Sequence, residues 1–257
     1  MNRINQLFET KKRDVLSVYF TAGYPNLDDT LPVLQALQNN GVDMVEIGIP
    51  FSDPMADGPV IQESSSRALR NGMTLQLLFD QLKEARETIT IPLVLMGYLN
   101  PVMQFGFEPF CRRCAETGIN GVIIPDLPFR DYVENYKPIA DRYNIKVIML
   151  ITPETTVERV RLIDEYTGGF IYMVSSAATT GARLTFGNEQ QTYFKRVQEL
   201  ELKNPLMIGF GISNKATFDT ARQHASGAIV GSKFISLLSE SQNIDAAASR
   251  LIEILKG

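Results

Sequence analysis

Eight short runs rich in Val, Ile, Leu and Met recur along the chain, each followed by an amphipathic helical pattern, and this alternation predicts an α/β protein. Two further observations narrow the class to a (β/α)8 TIM barrel with an extra N-terminal helix. The runs are apolar throughout, as parallel strands covered on both faces require. The length, 257 residues, is close to the roughly 250 of one such barrel, so a single domain is expected over 1–257.

The chain begins Met1-Asn-Arg-Ile-Asn-Gln-Leu-Phe8, which lacks the apolar core of a signal peptide and predicts a cytoplasmic protein. Strands are expected at 15–22, 44–50, 92–98, 121–126, 146–151, 170–175, 206–211 and 228–231. Asn26 or Asp28 is expected to cap the helix after the first strand, and Asn39-Asn-Gly41 to end it. Gly118 should close another helix, and Asn214 should cap the one that follows the seventh strand. Residues 88–107 are uncharged and long enough to test as a membrane span. Pro92, Gly97, Asn100, Pro101 and Gln104 instead cut them into a short strand and a turn. The longest connections run 51–91 and 176–204. Loops after strands build the active-site face of a barrel, so loops at about 51–60 and 176–188 are the places to look.

A net charge of −4 and no basic stripe exclude a nucleic-acid footprint and a polybasic membrane surface. Cys111 and Cys114 form a C-x-x-C within a helical pattern, with no second pair and a single His far away. Zinc needs four ligands and thiol redox chemistry wants a strand-to-helix turn, so both cysteines are expected to be reduced and structural. No metal site is expected.

One acid interrupts an otherwise apolar strand, Met44-Val-Glu-Ile-Gly-Ile-Pro50. Alternation turns Val45, Ile47 and Ile49 towards the helices and Met44, Glu46 and Gly48 into the barrel. A buried carboxylate is paired, protonated or used in chemistry. With no Lys or Arg on a neighbouring inward position, acid–base catalysis is favoured over an internal ion pair. Asp53 and Asp57 follow in a loop stiffened by two prolines and a glycine, where either could also be a turn-forming carboxylate.

The run Val45-Glu-Ile-Gly-Ile-Pro-Phe-Ser-Asp-Pro-Met-Ala-Asp-Gly-Pro-Val-Ile-Gln62 closely resembles the signature of the tryptophan synthase alpha chain family. Phe20-Thr-Ala-Gly-Tyr-Pro25, Met96-Gly-Tyr-Leu-Asn-Pro101, Pro125-Asp-Leu-Pro128 and Gly209-Phe-Gly-Ile-Ser213 extend the resemblance along the whole chain. It implies a lyase that splits indole-3-glycerol phosphate into indole and glyceraldehyde 3-phosphate by a retro-aldol reaction, in tryptophan biosynthesis. Carbon 3 of indole leaves only after protonation, while the neighbouring hydroxyl loses its proton. A pair of carboxylates suits that work.

By resemblance Glu46 moves the protons, Asp57 holds the indole nitrogen, and Tyr172 stands near Glu46, where it could equally be a barrel-filling aromatic. Gly181, Gly211, Gly231 and Ser232 match the family's phosphate contacts. Glycines in Gly209-Phe-Gly-Ile-Ser213 and Val230-Gly-Ser-Lys-Phe234, after the last two strands, suit a phosphate independently. Tyr19, Ile123 and Phe210 match apolar positions near the indole. Thr180 would meet Asp57 when the sixth loop closes. Ser176-Ala177-Ala178 and Phe129-Arg-Asp131 depart from the family pattern. The family works as an αββα complex, passes indole to a beta subunit that carries pyridoxal phosphate, and binds no cofactor in the alpha chain. Asp53 matches a residue that signals across that interface.

Competing mechanisms want residues this chain lacks. Schiff-base chemistry needs an inward mid-strand lysine, and Lys146 only begins its strand. Indole-glycerol-phosphate synthase, another phosphate-binding barrel enzyme, would likewise need lysines within strands. A metal-assisted aldolase wants His ligands, and the one His, His224, is expected on the far surface. A stand-alone indole-releasing lyase would share every catalytic residue. A non-enzymatic activator of the beta subunit would be free to lose either carboxylate.

Overall fold

The computed structural model describes residues 1–175, 185–241 and 243–257. One sheet holds nine strand segments: β1 (Val15–Thr21), β2 (Met44–Gly48), β3 (Leu93–Met96), β4 (Gly121–Ile123), β5 (Lys146–Ile148), β6 (Leu150–Ile151), β7 (Ile171–Val174), β8 (Leu206–Gly209) and β9 (Gly227–Val230). Their order is β5-β4-β3-β2-β1-β9-β8-β7-β6. The end segments β5 and β6 are halves of one extended stretch interrupted at Met149. Lys146–Ile148 pairs in parallel with β4, and Leu150–Ile151 pairs in parallel with β7. The amide of Tyr172 donates to the Met149 carbonyl at 3.0 Å and carries the ladder across the break. The sheet thus returns on itself, and the eight expected runs make the (β/α)8 barrel.

Alternation along the strands separates two apolar layers. Val45, Ile47 and Ile49 join the layer between strands and helices. Met44, Val94, Ile123, Ile148, Phe170, Tyr172 and Met207 fill the barrel interior. The N-terminal helix (Arg3–Thr10) closes the lower mouth of that interior with Ile4 and Phe8, whose ring lies 6.0 Å from that of Phe170. Asn2 caps this helix by accepting from the Ile4 amide at 2.9 Å. Its side-chain amide also donates to the carbonyls of Asn120 and Asn144, at 2.8 Å each, just before β4 and β5. One side chain therefore starts the helix and docks it on the barrel.

Local signals are met with small corrections. The helix Thr30–Asn39 is preceded by Asp29, so neither Asn26 nor Asp28 is its cap. The Asp29 carboxylate instead accepts from the Asn26 amide at 2.9 Å, a turn that competes with capping. Gly41 (φ +78°) and Gly118 (φ +73°) sit past helix ends, where a left-handed residue turns the chain. Asn214 caps Lys215–His224 by accepting from the Thr217 amide at 3.0 Å. The expected turn after β3 is a helix, Leu99–Phe105, which holds Pro101 in its first turn, where no intrahelical N–H partner is lost. Cys111 and Cys114 are free thiols buried in the helix Phe107–Glu116, and burial pushes both thiols up, Cys111 to about 12. His224 ends its helix at the opposite mouth from the strand C-termini rather than lying in the connection after it. Among the described residues no helix is long and apolar enough to cross a membrane.

Candidate active site

Glu46 stands in the middle of β2, in register with Tyr19 of β1 and Val94 of β3. It is fully buried. The Ser17 hydroxyl donates to its Oε1 at 3.0 Å, and its Oε2 has no partner among the described residues. Desolvation pushes its carboxyl up to about 8, against the smaller opposing effect of Ser17. No cation contributes, so the internal ion pair that could have explained this acid is not formed among the described residues. A carboxyl in this state is a proton donor at neutral pH.

Asp57 arrives from the loop between β2 and the helix Pro59–Arg70. Only 8% of it is exposed. The Tyr98 hydroxyl donates to its Oδ2 at 2.9 Å and accepts from the Ala56 amide at 3.0 Å. Gln62 donates to the Asp57 carbonyl at 2.8 Å, fastening the loop to the following helix. The Tyr98 ring is itself fixed by Phe51, with centroids 5.3 Å apart. Burial raises the Asp57 carboxyl to about 6, and the Tyr98 hydrogen bond limits the rise. At neutral pH Asp57 is therefore mostly ionised while Glu46 mostly keeps its proton. Two acids in one cavity have been driven apart by their surroundings, the condition for dividing acid and base roles.

Two phenols complete the wall. A Cβ on Gly48 would lie 2.1 Å from the Tyr19 hydroxyl, and one on Gly209 would lie 2.1 Å from the Tyr172 hydroxyl. Each ring thus occupies the room that a strand glycine leaves. Burial raises both phenols, Asp57 adding to the rise at Tyr19 and Glu46 to that at Tyr172. Tyr172 packs edge-on against Phe210 at 6.0 Å. Phe210 holds φ +68°, a left-handed conformation that costs a bulky residue about 1–3 kcal/mol. The Ser175 hydroxyl donates to its carbonyl at 2.8 Å and helps to hold it there.

These groups surround a cavity at the C-terminal mouth of the barrel, about 480 Å³ of empty space when the part open to solvent is included. Tyr19, Glu46, Asp57, Tyr172 and Phe210 line it together with Gly211, Gly231 and Ser232, the last two at the start of the helix Ser232–Glu240. Eight of the residues singled out from sequence therefore meet in one place. Ile123 does not line the cavity; it is buried in the barrel interior, in register with the lining residue Met96. Asp53 lies outside the cavity too, exposed on the loop, its carboxylate accepting from the Ser52 hydroxyl at 2.5 Å. Thr180 and Gly181, like Ser176-Ala177-Ala178, fall outside the described residues. Among the described residues no cluster of His, Cys, Asp and Glu could hold a metal ion.

Sequence reasoning missed Tyr98 and Ser17, the partners of the two acids. Tyr98 had a usable signal, since it follows the third strand on the face where barrel sites form. Ser17 had a fainter one, as a hydroxyl on the inward set of an apolar strand. Ile61, Met96 and Ile212, which add apolar wall, had none beyond position.

Residues 6–256 match the model of a family described as tryptophan synthase alpha chain. The chain is 63% identical, over the full length of both, to the tryptophan synthase alpha chain of Phocaeicola vulgatus. It is 58% identical to that of Flavobacterium johnsoniae over 94% of this chain and 95% of the relative. The fold matches a crystal structure of tryptophan synthase subunit alpha from Legionella pneumophila with a TM-score of 0.88 at 32% identity, over 100% of this chain and 99% of that one. A mutant alpha-subunit from the hyperthermophile Pyrococcus furiosus gives 0.86 at 34% identity, over 95% and 99%. Matched by the family model over residues 6–256 and by full-length relatives that share its barrel, the chain belongs to the tryptophan synthase alpha chain family.

Proposed function

We propose that Glu46 and Asp57 carry out the cleavage for which the family is known, the retro-aldol splitting of indole-3-glycerol phosphate. The observation that supports this reading is the separation of the two acids, one raised to about 8 and the other to about 6, in a single cavity. Glu46 enters the cycle protonated and delivers its proton to carbon 3 of the indole ring. The ring becomes an electron-poor indolenine, and positive charge grows at its nitrogen. Ionised Asp57, held by Tyr98, accepts a hydrogen bond from the ring N–H and stabilises that charge. Glu46, now a carboxylate, takes the proton of the adjacent hydroxyl as the carbon–carbon bond breaks. Indole and glyceraldehyde 3-phosphate leave, and Glu46 is protonated again.

Tyr19, Tyr172 and Phe210 supply the flat apolar walls for the indole ring. Gly211, Gly231 and Ser232 offer close backbone approach for the phosphate, with the dipole of the helix Ser232–Glu240 favouring the anion. By family resemblance Gly181 belongs to the same set, and Thr180 meets Asp57 when the sixth loop closes. The chemistry asks only for proton transfers and hydrogen bonds, so no cofactor is assigned to this chain, and pyridoxal phosphate belongs to the beta partner. Indole passes to that beta subunit in an αββα complex, with Asp53 on the loop that faces it. We read residues 1–257 as one cytoplasmic barrel domain.

The test is indole release from indole-3-glycerol phosphate, with and without a beta subunit. Release in both conditions, faster in the complex, is expected. Activity should rise with pH as Asp57 ionises near pH 6 and fall as Glu46 loses its proton near pH 8. No release under either condition leaves an activator of the beta subunit as the reading instead.

A further inference from the structure

Lys233 lines the cavity beside Gly231 and Ser232, in the first turn of the nine-residue helix Ser232–Glu240. Among the described residues that line the cavity it is the only cationic one, and the acids there are Glu46 and Asp57. Among the described residues its ammonium enters no ion pair or hydrogen bond. The same cavity holds the fully buried Glu46 Oε2, which is without a partner among the described residues.

A phosphate monoester carries close to two negative charges at neutral pH, and it must enter a cavity that already contains an ionised Asp57. A helix N-terminus offers the equivalent of only about half a positive charge. Backbone amides fix the position of the phosphate but leave most of its charge uncompensated. A lysine adds a full charge on a flexible stem that follows the anion. Lys233 is only half-buried, so its desolvation cost is small.

We infer that Lys233 is a substrate-binding residue whose ammonium pairs with the phosphate of the substrate. This rests on the reading of the Gly211–Gly231–Ser232 end as the phosphate site. The ammonium is remote from the breaking bond and acts equally on substrate and transition state, so its removal falls on KM rather than on kcat. In the complex with a beta subunit, Lys233→Met raises KM for indole-3-glycerol phosphate about tenfold and weakens competitive inhibition by inorganic phosphate by a similar factor. It also flattens the rise of KM with salt, because the screened charge is gone. Lys233→Arg restores KM to within about threefold, since the charge returns in a different shape. A Lys233→Met protein whose KM and phosphate inhibition stay within about twofold of wild type overturns the role of the lysine and leaves the phosphate site standing. Failure of inorganic phosphate to compete in the wild-type protein overturns the phosphate reading itself, and the lysine's role with it.

Discussion

The two mouths of the barrel are built from the same strands and filled in opposite ways. At the lower mouth Ile4 and Phe8 seal an apolar interior, and the polar groups of Asn2 are satisfied. At the upper mouth a cavity remains, with a Glu46 oxygen that has no partner among the described residues and a Phe210 held at φ +68°. Within β1 the inward set passes from Val15 through Ser17 to Tyr19 and Thr21, and within β2 from Met44 to Glu46 and Gly48. Polarity therefore rises along each strand over a few residues. Close packing at one end supplies the stability that lets the other end keep costly groups.

The sharpest way to break that comparison is to remove the cost itself. Glu46→Gln should lower turnover by about three orders of magnitude or more, and Asp57→Asn by a comparable factor, with the barrel intact. The glutamine variant should also gain stability relative to wild type as pH rises. The folded carboxyl of Glu46 titrates near 8 rather than 4.5, so its contribution is fully present below pH 4.5 and is lost as pH rises through about 8. Above that pH the variant should be more stable by ~5 kcal/mol in urea unfolding, the equivalent of the whole shift. Superimposable stability curves for the two proteins across this window would show that burial of Glu46 carries no such penalty. At the lower mouth the effect reverses. Ile4→Ala should cost about 3 kcal/mol of stability while leaving the turnover of the folded protein unchanged. A fall in turnover of folded Ile4→Ala protein would mean that the two mouths are not independent.

This division also separates what is legible in the sequence from what is not. Strand positions, inward and outward sets and the meaning of Glu46 follow from alternation, a local property of the chain. So do Gly41, Gly118 and Asn214, which act within a few residues of themselves. The pairing of Asp57 with Tyr98 spans 41 residues and depends on how two loops land on one mouth of the barrel. Nothing within either segment encodes the meeting. The Asn2 contacts, which reach 118 and 142 residues away, were hidden for the same reason. The failed cap at Asn26 or Asp28 is a local error of another kind. Three side chains there can cap or turn, and Asp29 was taken by Asn26.

Tyr98 gives a smaller and more specific probe of the upper mouth. Tyr98→Phe removes the hydrogen bond that holds the Asp57 carboxyl down, so that carboxyl should titrate above its present value of about 6. The acid limb of the activity profile then moves to higher pH, and kcat/KM near neutrality falls by about tenfold. An unmoved acid limb would take Asp57 out of that limb.

The smallest effect is expected at Tyr172, where ring and hydroxyl can be told apart. Its ring stands edge-on to Phe210, and its hydroxyl fills the space above Gly209. Tyr172→Phe keeps the wall against the indole and opens a gap smaller than a methyl group. Burial already drives the phenol far from any pH at which it could ionise, which leaves it poorly suited to take a proton from Glu46. The variant should retain kcat/KM within about threefold of wild type, with both limbs of its pH profile in place. A loss beyond tenfold, or a shift of the alkaline limb set by Glu46, would instead bring the hydroxyl into the proton traffic, and the upper mouth would then hold a third polar participant rather than an aromatic wall.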